Sequence, residues 1–241
     1  MITKVREPQQ ESKQELQQEQ HPAIVPAQQT DEWAVPWWLP RHQAKLHAKQ
    51  IQGQIDLLFL GDSITQAWED RGAAVWQKYY QPRHAFNLGF SGDRTENVLW
   101  RIEHGELDNI APKLLVLMIG SNNTGHRMDP AEQTAKGIEL IIQAIQAKLA
   151  NSRILLLGLL PREASPDDPM RLRNNEINKL IKPLANQQNL FWLDIGELFL
   201  DEQGVIQPDV MSDGLHPNQA MYLEMALALE PTIKHLLDDT L

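Results

Sequence analysis

Five strand-length runs, each stopped by small or polar residues and followed by a helix-forming stretch, set the fold this chain can adopt. They are Ile55–Leu60, His84–Leu88, Leu114–Ile119, Arg153–Gly158 and Leu190–Leu193. Leu114–Ile119 is apolar at every position, as expected of a strand buried on both faces of a parallel sheet. Between the runs, helices are expected over about 63–70, 73–80, 95–104, 130–149 and 170–188, with a closing helix over 217–237. Thr95, Val98, Leu99 and Ile102 recur at helical spacing, and Pro130 suits a first helical position. Strands alternating with helices imply an α/β chain: a three-layer α/β/α sandwich on a central five-stranded parallel sheet with right-handed crossovers.

The 241 residues fit one such domain with an appendage. Residues 1–30 are rich in Gln and Glu and bury too little apolar surface to offset chain entropy, so they are expected to be a disordered tail. A transient helix over 10–20 is the alternative. Residues 31–54 form a second segment. It holds Trp33, Trp37 and Trp38 among prolines, then a leading helix from Arg41. The tryptophans suit a belt on the domain flank, or else a dimer contact or the wall of a substrate groove. The α/β domain occupies 55–241.

Several function classes fall away. No apolar run reaches transmembrane length, so stable membrane insertion is not expected. The N-terminus shows no apolar signal region, so a cytoplasmic protein is expected, or a secreted or periplasmic one where a native leader has been removed. With no cysteine there is no disulfide, thiolate metal site or cysteine nucleophile. A net charge of -10 without a basic stretch argues against nucleic acid as a partner. Glycine-rich phosphate cradles and the H-E-x-x-H zinc motif are both absent, so neither a cofactor nor a metal is expected. The G-x-S-x-G elbow also fails, because Thr65 stands where its second glycine should be.

Ligands of open α/β sheets sit at the carboxyl ends of the strands. There this chain places Gly61-Asp62-Ser63, then Gly89-Phe90-Ser91-Gly92-Asp93-Arg94, then Gly120-Ser121-Asn122-Asn123, and last Asp213-Gly214-Leu215-His216-Pro217. Ser63 at a strand-to-helix junction suits either a helix cap or a nucleophile. Serine chemistry needs a base, a group to orient that base, and donors for a developing oxyanion. Among eight histidines only His216 has an acidic residue, Asp213, three positions away at the strand-end rim. His42, His47, His104 and His235 lie on expected helices as solvated residues. Three candidate oxyanion donors stand out: the N–H groups of Ser63 and Gly89 and the side-chain amide of Asn122. Catalytic candidates are therefore Ser63, Asp213 and His216.

These four blocks resemble those of the SGNH, or GDSL, hydrolases over about residues 55–237. Asn87–Thr95, Val98–Leu107 and Leu157–Arg162 are similar to a narrower branch. That branch includes the catalytic subunits of intracellular platelet-activating-factor acetylhydrolase and many bacterial acetylesterases. The resemblance implies a flavodoxin-like fold and a cofactor-free serine esterase. In it Ser63 is nucleophile, His216 base, Asp213 its orienter, and Ser63, Gly89 and Asn122 the oxyanion hole. The family has Asp after the Asn of its third block, whereas this chain, like the acetylhydrolase branch, has Asn123. Asp62, Asn123, His126 and Leu215 are the candidate substrate-binding residues. The expected partner is a small-molecule ester, most readily an acetyl ester of a small or carbohydrate-linked alcohol. The alternatives are a short-chain phospholipid or lysophospholipid and, in another class, a non-catalytic interaction module of the same fold. The acetylhydrolase subunits also suggest a homodimer.

Overall fold

A computed structural model describes residues 20–186 and 188–238. Its elements, in chain order, are α1 (Val35–Gln52), β1 (Leu57–Gly61), α2 (Ser63–Gln66), α3 (Ala73–Tyr79), β2 (Ala85–Gly89), α4 (Thr95–Glu103), β3 (Leu114–Met118), α5 (Ser121–Arg127), α6 (Ala131–Lys148), β4 (Arg153–Leu157), α7 (Pro169–Ile181), β5 (Leu190–Leu193) and α8 (Gln219–Leu237). Short 3₁₀ turns join several of them. The strands form one parallel sheet in the order β2-β1-β3-β4-β5, with Gly61 in register with Gly89 on one side and Met118 on the other. Every residue of β1, β2 and β3 is buried, as the near-continuous apolar run of β3 requires. On one face α4 packs on α6 and α6 on α7; on the other α3 packs on α8. The expected α/β/α sandwich is the observed fold.

The strand order reverses between β1 and β3. At that switch point the loops leaving the two strands diverge and open a crevice. The chain returns to it from β2, which puts three of the four strand-end blocks side by side.

Three expectations change. Residues 20–30 belong to the folded unit: a 3₁₀ turn at Pro22–Ile24 buries Ala23, whose carbonyl accepts from the Thr95 hydroxyl at 2.7 Å. The Ala27 N–H bonds to the Glu96 carbonyl at 3.1 Å, and Gln29 is buried. The glutamine-rich part of the expected tail lies outside the described residues. Next, Trp37 and Trp38 lie in the first turn of α1, which starts at Val35 and not at Arg41, because Pro36 sits where a missing N–H costs nothing; Trp33 precedes the helix. Finally, the helix expected to reach 188 ends at Ile181 and gives way to a 3₁₀ turn holding Pro183.

The leading tryptophans divide their roles. Trp38 is buried, donates to Asp93 at 2.6 Å and packs 5.3 Å from Trp100, while Trp33 stays half exposed. His42 is not solvated as its helix position suggested. It is buried between Trp38 and Trp100, and burial lowers its pKa to about 4. Among the described residues no helix is long and apolar enough to cross a membrane.

Candidate active site

Ser63 is the first residue of α2, lifted to the rim by the end of β1. The bond that caps this short helix is made by Asp62, not Ser63: its carboxylate accepts from the Ile64 N–H at 3.0 Å. Asp62 is buried, and burial pushes its pKa up to about 6 against that hydrogen bond. With capping assigned to its neighbour, the Ser63 hydroxyl is free to turn outward.

It meets His216. The Ser63 Oγ and His216 Nε2 are 2.9 Å apart, and the other ring nitrogen, Nδ1, lies 2.7 Å from Asp213 Oδ2. A tight turn builds this pair. The second Asp213 oxygen accepts from the N–H groups of Leu215 at 3.0 Å and His216 at 2.8 Å. Burial works against the Asp213 charge, but the His216 N–H, the His216 ring and the Leu215 N–H together hold its carboxyl down to about 2. The carboxylate is thus ionised wherever the imidazole is neutral, which fixes Nδ1 as the protonated nitrogen and leaves Nε2 facing the serine as an acceptor.

The donors on the opposite side differ in part from the sequence expectation. The Ser63 N–H has no protein partner among the described residues. Asn122 is buried and spends one amide hydrogen on the Asp93 carbonyl at 2.9 Å, leaving the other. Gly89, by contrast, is committed. Its N–H bonds to Asn87 Oδ1 at 2.7 Å, and a Cβ there would stand 2.1 Å from the Gln66 nitrogen. Gly89 is a glycine so that α2 can pack on the end of β2, and it has no N–H to offer. Among the described residues the N–H of Gly92, three residues on, has no partner, and its φ of +76° favours glycine. The sequence reading names Gly89 as the donor and gives Gly92 no role, since nothing in the spacing shows that the Gly89 amide is spent.

The substrate-binding candidates scatter. Asn123 is fully buried and saturated: it accepts from the Thr95 N–H at 3.0 Å and donates to Asp129 and to the Thr95 hydroxyl, each at 3.0 Å. It locks α5 to α4 and is out of reach of a substrate. Asp62 caps, as above. Leu215 belongs to the triad turn through its N–H. His126 sits at the rim beside Arg94, at 2.9 Å, and burial and that cation lower its pKa.

Most of the residues that do line the space over Ser63 come from α2 and the turn after it, joined by Ser91 and His216. An open groove of about 490 Å³ is bounded by Ser63, Gln66, Ala67, Glu69, Asp70, Arg71, Ser91 and His216. Only Ala67 is apolar. No spacing rule marks these positions, because α2 is too short to show a face. Among the described residues no cluster of acidic or histidine side chains could hold a metal ion.

A strand-end serine bonded to a histidine that a carboxylate orients, at the switch point of a parallel sheet, defines a serine hydrolase. The chain belongs to the GDSL-like lipase/acylhydrolase family, whose pattern matches residues 59–223, and it is a carboxylic ester hydrolase. It is 36% identical over 226 residues to the platelet-activating factor acetylhydrolase IB subunit alpha2 of Rattus norvegicus, covering 93% of this chain and 95% of that one. Its fold is that of a GDSL-like lipase from Bacteroides thetaiotaomicron, with a TM-score of 0.65 at 18% identity over 81% of this chain and 97% of that one. An acetyl xylan esterase matches with a TM-score of 0.62 at 21% identity, over 74% and 100%.

Proposed function

We propose that this chain hydrolyses short-chain esters, foremost acetyl esters of small or carbohydrate-linked alcohols, through an acyl-enzyme on Ser63. The observation that carries this reading is the continuous Ser63–His216–Asp213 relay, with contacts of 2.9 and 2.7 Å. In the first half-reaction Ser63 Oγ attacks the ester carbonyl as its proton passes to His216 Nε2. The tetrahedral oxyanion collapses, and the departing alcohol takes that proton from His216. In the second half, water attacks the acyl-serine, again giving its proton to Nε2, which returns it to Ser63 as the carboxylic acid leaves. Asp213 stays ionised and holds the imidazolium. The oxyanion donors in this reading are the N–H groups of Ser63 and Gly92 and the second amide hydrogen of Asn122, with Gly89 removed from the set.

The groove favours a polar alcohol. Gln66, Glu69, Asp70 and Arg71 offer hydrogen bonds to hydroxyl groups and little surface to an alkyl chain. A second reading, a short-acyl phospholipid, draws on the likeness to the platelet-activating factor acetylhydrolase subunit.

The test is hydrolysis of p-nitrophenyl acetate and butyrate by wild type and Ser63→Ala, followed by acetate release from acetylated xylo-oligosaccharides and short-chain phospholipids. Ser63→Ala should lose at least about 10³-fold in kcat. Equal rates in the two proteins would exclude the serine mechanism. Acetate released only from the phospholipid would replace the first substrate reading with the second.

A further inference from the structure

The base and its orienter sit on a turn that belongs to no regular element, closed mostly by its own local bonds, among them the Asn218 N–H to the Val210 carbonyl at 3.0 Å. Within it, the Gly214 N–H reaches the Met211 carbonyl at 3.0 Å, and Asp213 accepts from its own neighbours. Arg71, an exposed side chain, donates to the Pro217 carbonyl at 3.1 Å. The contact nearest the Asp–His pair is from outside: the Glu163 N–H donates to the Gly214 carbonyl at 2.6 Å. Gly214 has a φ of +67°, and a Cβ there would stand 3.1 Å from the Glu163 Cα, so the two backbones touch. The placement of His216 therefore depends on the placement of residues 162–164.

That loop has no strand or helix of its own, and one buried cation gathers it. Arg171, 3% exposed in the first turn of α7, spends its guanidinium on backbone carbonyls. Its Nε donates to Arg162 O at 2.7 Å, its Nη2 to Glu163 O, and its Nη1 to Gly204 O at 3.0 Å. The helix beneath it is anchored by Asp168, whose carboxylate caps the Met170 N–H at 2.8 Å. The same loop also reaches the other half of the site. Arg162 Nη1 donates to Ser121 O at 2.8 Å, beside Asn122. Residues 162–164 thus link the triad turn to the helix carrying the amide donor, and Arg171 holds the link.

Building on the esterase reading, we propose that Arg171 is a positioning residue that sets His216 against Ser63 through residues 162–164. The planar five-donor fork suits this task, since one rigid group can satisfy carbonyls from separate segments where a lysine ammonium would satisfy fewer. Removing it leaves the buried Arg162 carbonyl and two partly buried ones without this donor and frees the loop to shift. A displacement of about 1 Å in a catalytic pair costs roughly 100-fold in rate.

The experiment compares full-length wild type, Arg171→Lys, Arg171→Ala, Asp213→Asn and each Arg171 variant combined with Asp213→Asn. All are assayed on p-nitrophenyl acetate below the lowest melting temperature of the set. Arg171→Ala should lose roughly 100-fold in kcat with KM little changed, and Arg171→Lys should fall between it and wild type. In the Asp213→Asn background the same changes should cost far less, because residues acting on one turn are not additive. An undiminished kcat in both variants, or a fold-loss as large in the Asp213→Asn background as in wild type, overturns the proposal. Should Arg171→Ala fail to fold, Arg171→Lys with and without Asp213→Asn carries the same comparison. An inactive wild type would instead refute the esterase reading, so the two failures are distinct.

Discussion

The two halves of the site are built from opposite materials. The side that offers amide donors rests on a buried ionic knot. Arg101 bridges Asp93 and Glu106, all three fully buried, and the Asp93 carbonyl in turn fixes the Asn122 amide. Burial opposes the Arg101 charge, but Glu106 and Asp93 together hold it, while burial pushes Asp93 up to about 7. The proposed proton-transfer side is a surface turn whose Asp213 side chain is 51% exposed. The contrast follows from the tasks. Donors for a transient oxyanion must already point the right way, because reorienting them during the reaction would cost part of what they contribute. A group that keeps an imidazole charged during turnover needs a low pKa, which water and local N–H bonds supply without burial.

Each half should then fail in its own way. His216→Ala, on the surface turn, should lower kcat on the order of 10⁵-fold or more while leaving the thermal midpoint near that of wild type. A large drop in melting temperature for this variant would break the comparison. Arg101→Met should do the reverse. It strands two buried carboxyl groups and should cost about 3–5 kcal/mol in urea unfolding, unlike a surface substitution. A nearly neutral result would mean that the knot is not what holds the donor side.

The smallest effect concerns Asp62. Its folded pKa of about 6 lies above that of an unfolded aspartate, so the native state binds the extra proton and stability falls as pH rises from about 4 to 6. Asp62→Asn cannot titrate and removes that contribution. Relative to wild type its stability should rise across this window, by up to about 3 kcal/mol, and level off above it. Parallel stability–pH curves for the two proteins would show that Asp62 is not held neutral by burial.

Much of this was legible in the chain. The five strand-length runs, Ser63 at a strand-to-helix junction and the Asp213/His216 spacing depend on neighbours within a few residues. Periodicity, caps and tight turns encode such relations locally. The helix Ser121–Arg127 is absent from the expected elements, being too short and polar to show a period. The strap at 20–30 was read as tail, because its composition matches disorder and its few anchors, Ala23 and Gln29, look ordinary in sequence.

Sequence by itself determined the sheet and the four strand-end blocks, which hold the Ser63, Asp213 and His216 of the proposed relay. Tertiary structure alone decided which amides remain free. Gly89 and Gly92 are equivalent as letters three apart, but Asn87 consumes the first N–H and the backbone of Gln66 crowds its Cα. It likewise decided that Asn123 locks two helices together, and that Arg171, 45 residues before His216 in the chain, holds the loop that touches the His216 turn. The physical reason is the same in each case. A hydrogen-bonding group is defined by its residue type, but whether it is available depends on partners that only the folded chain brings within 3 Å.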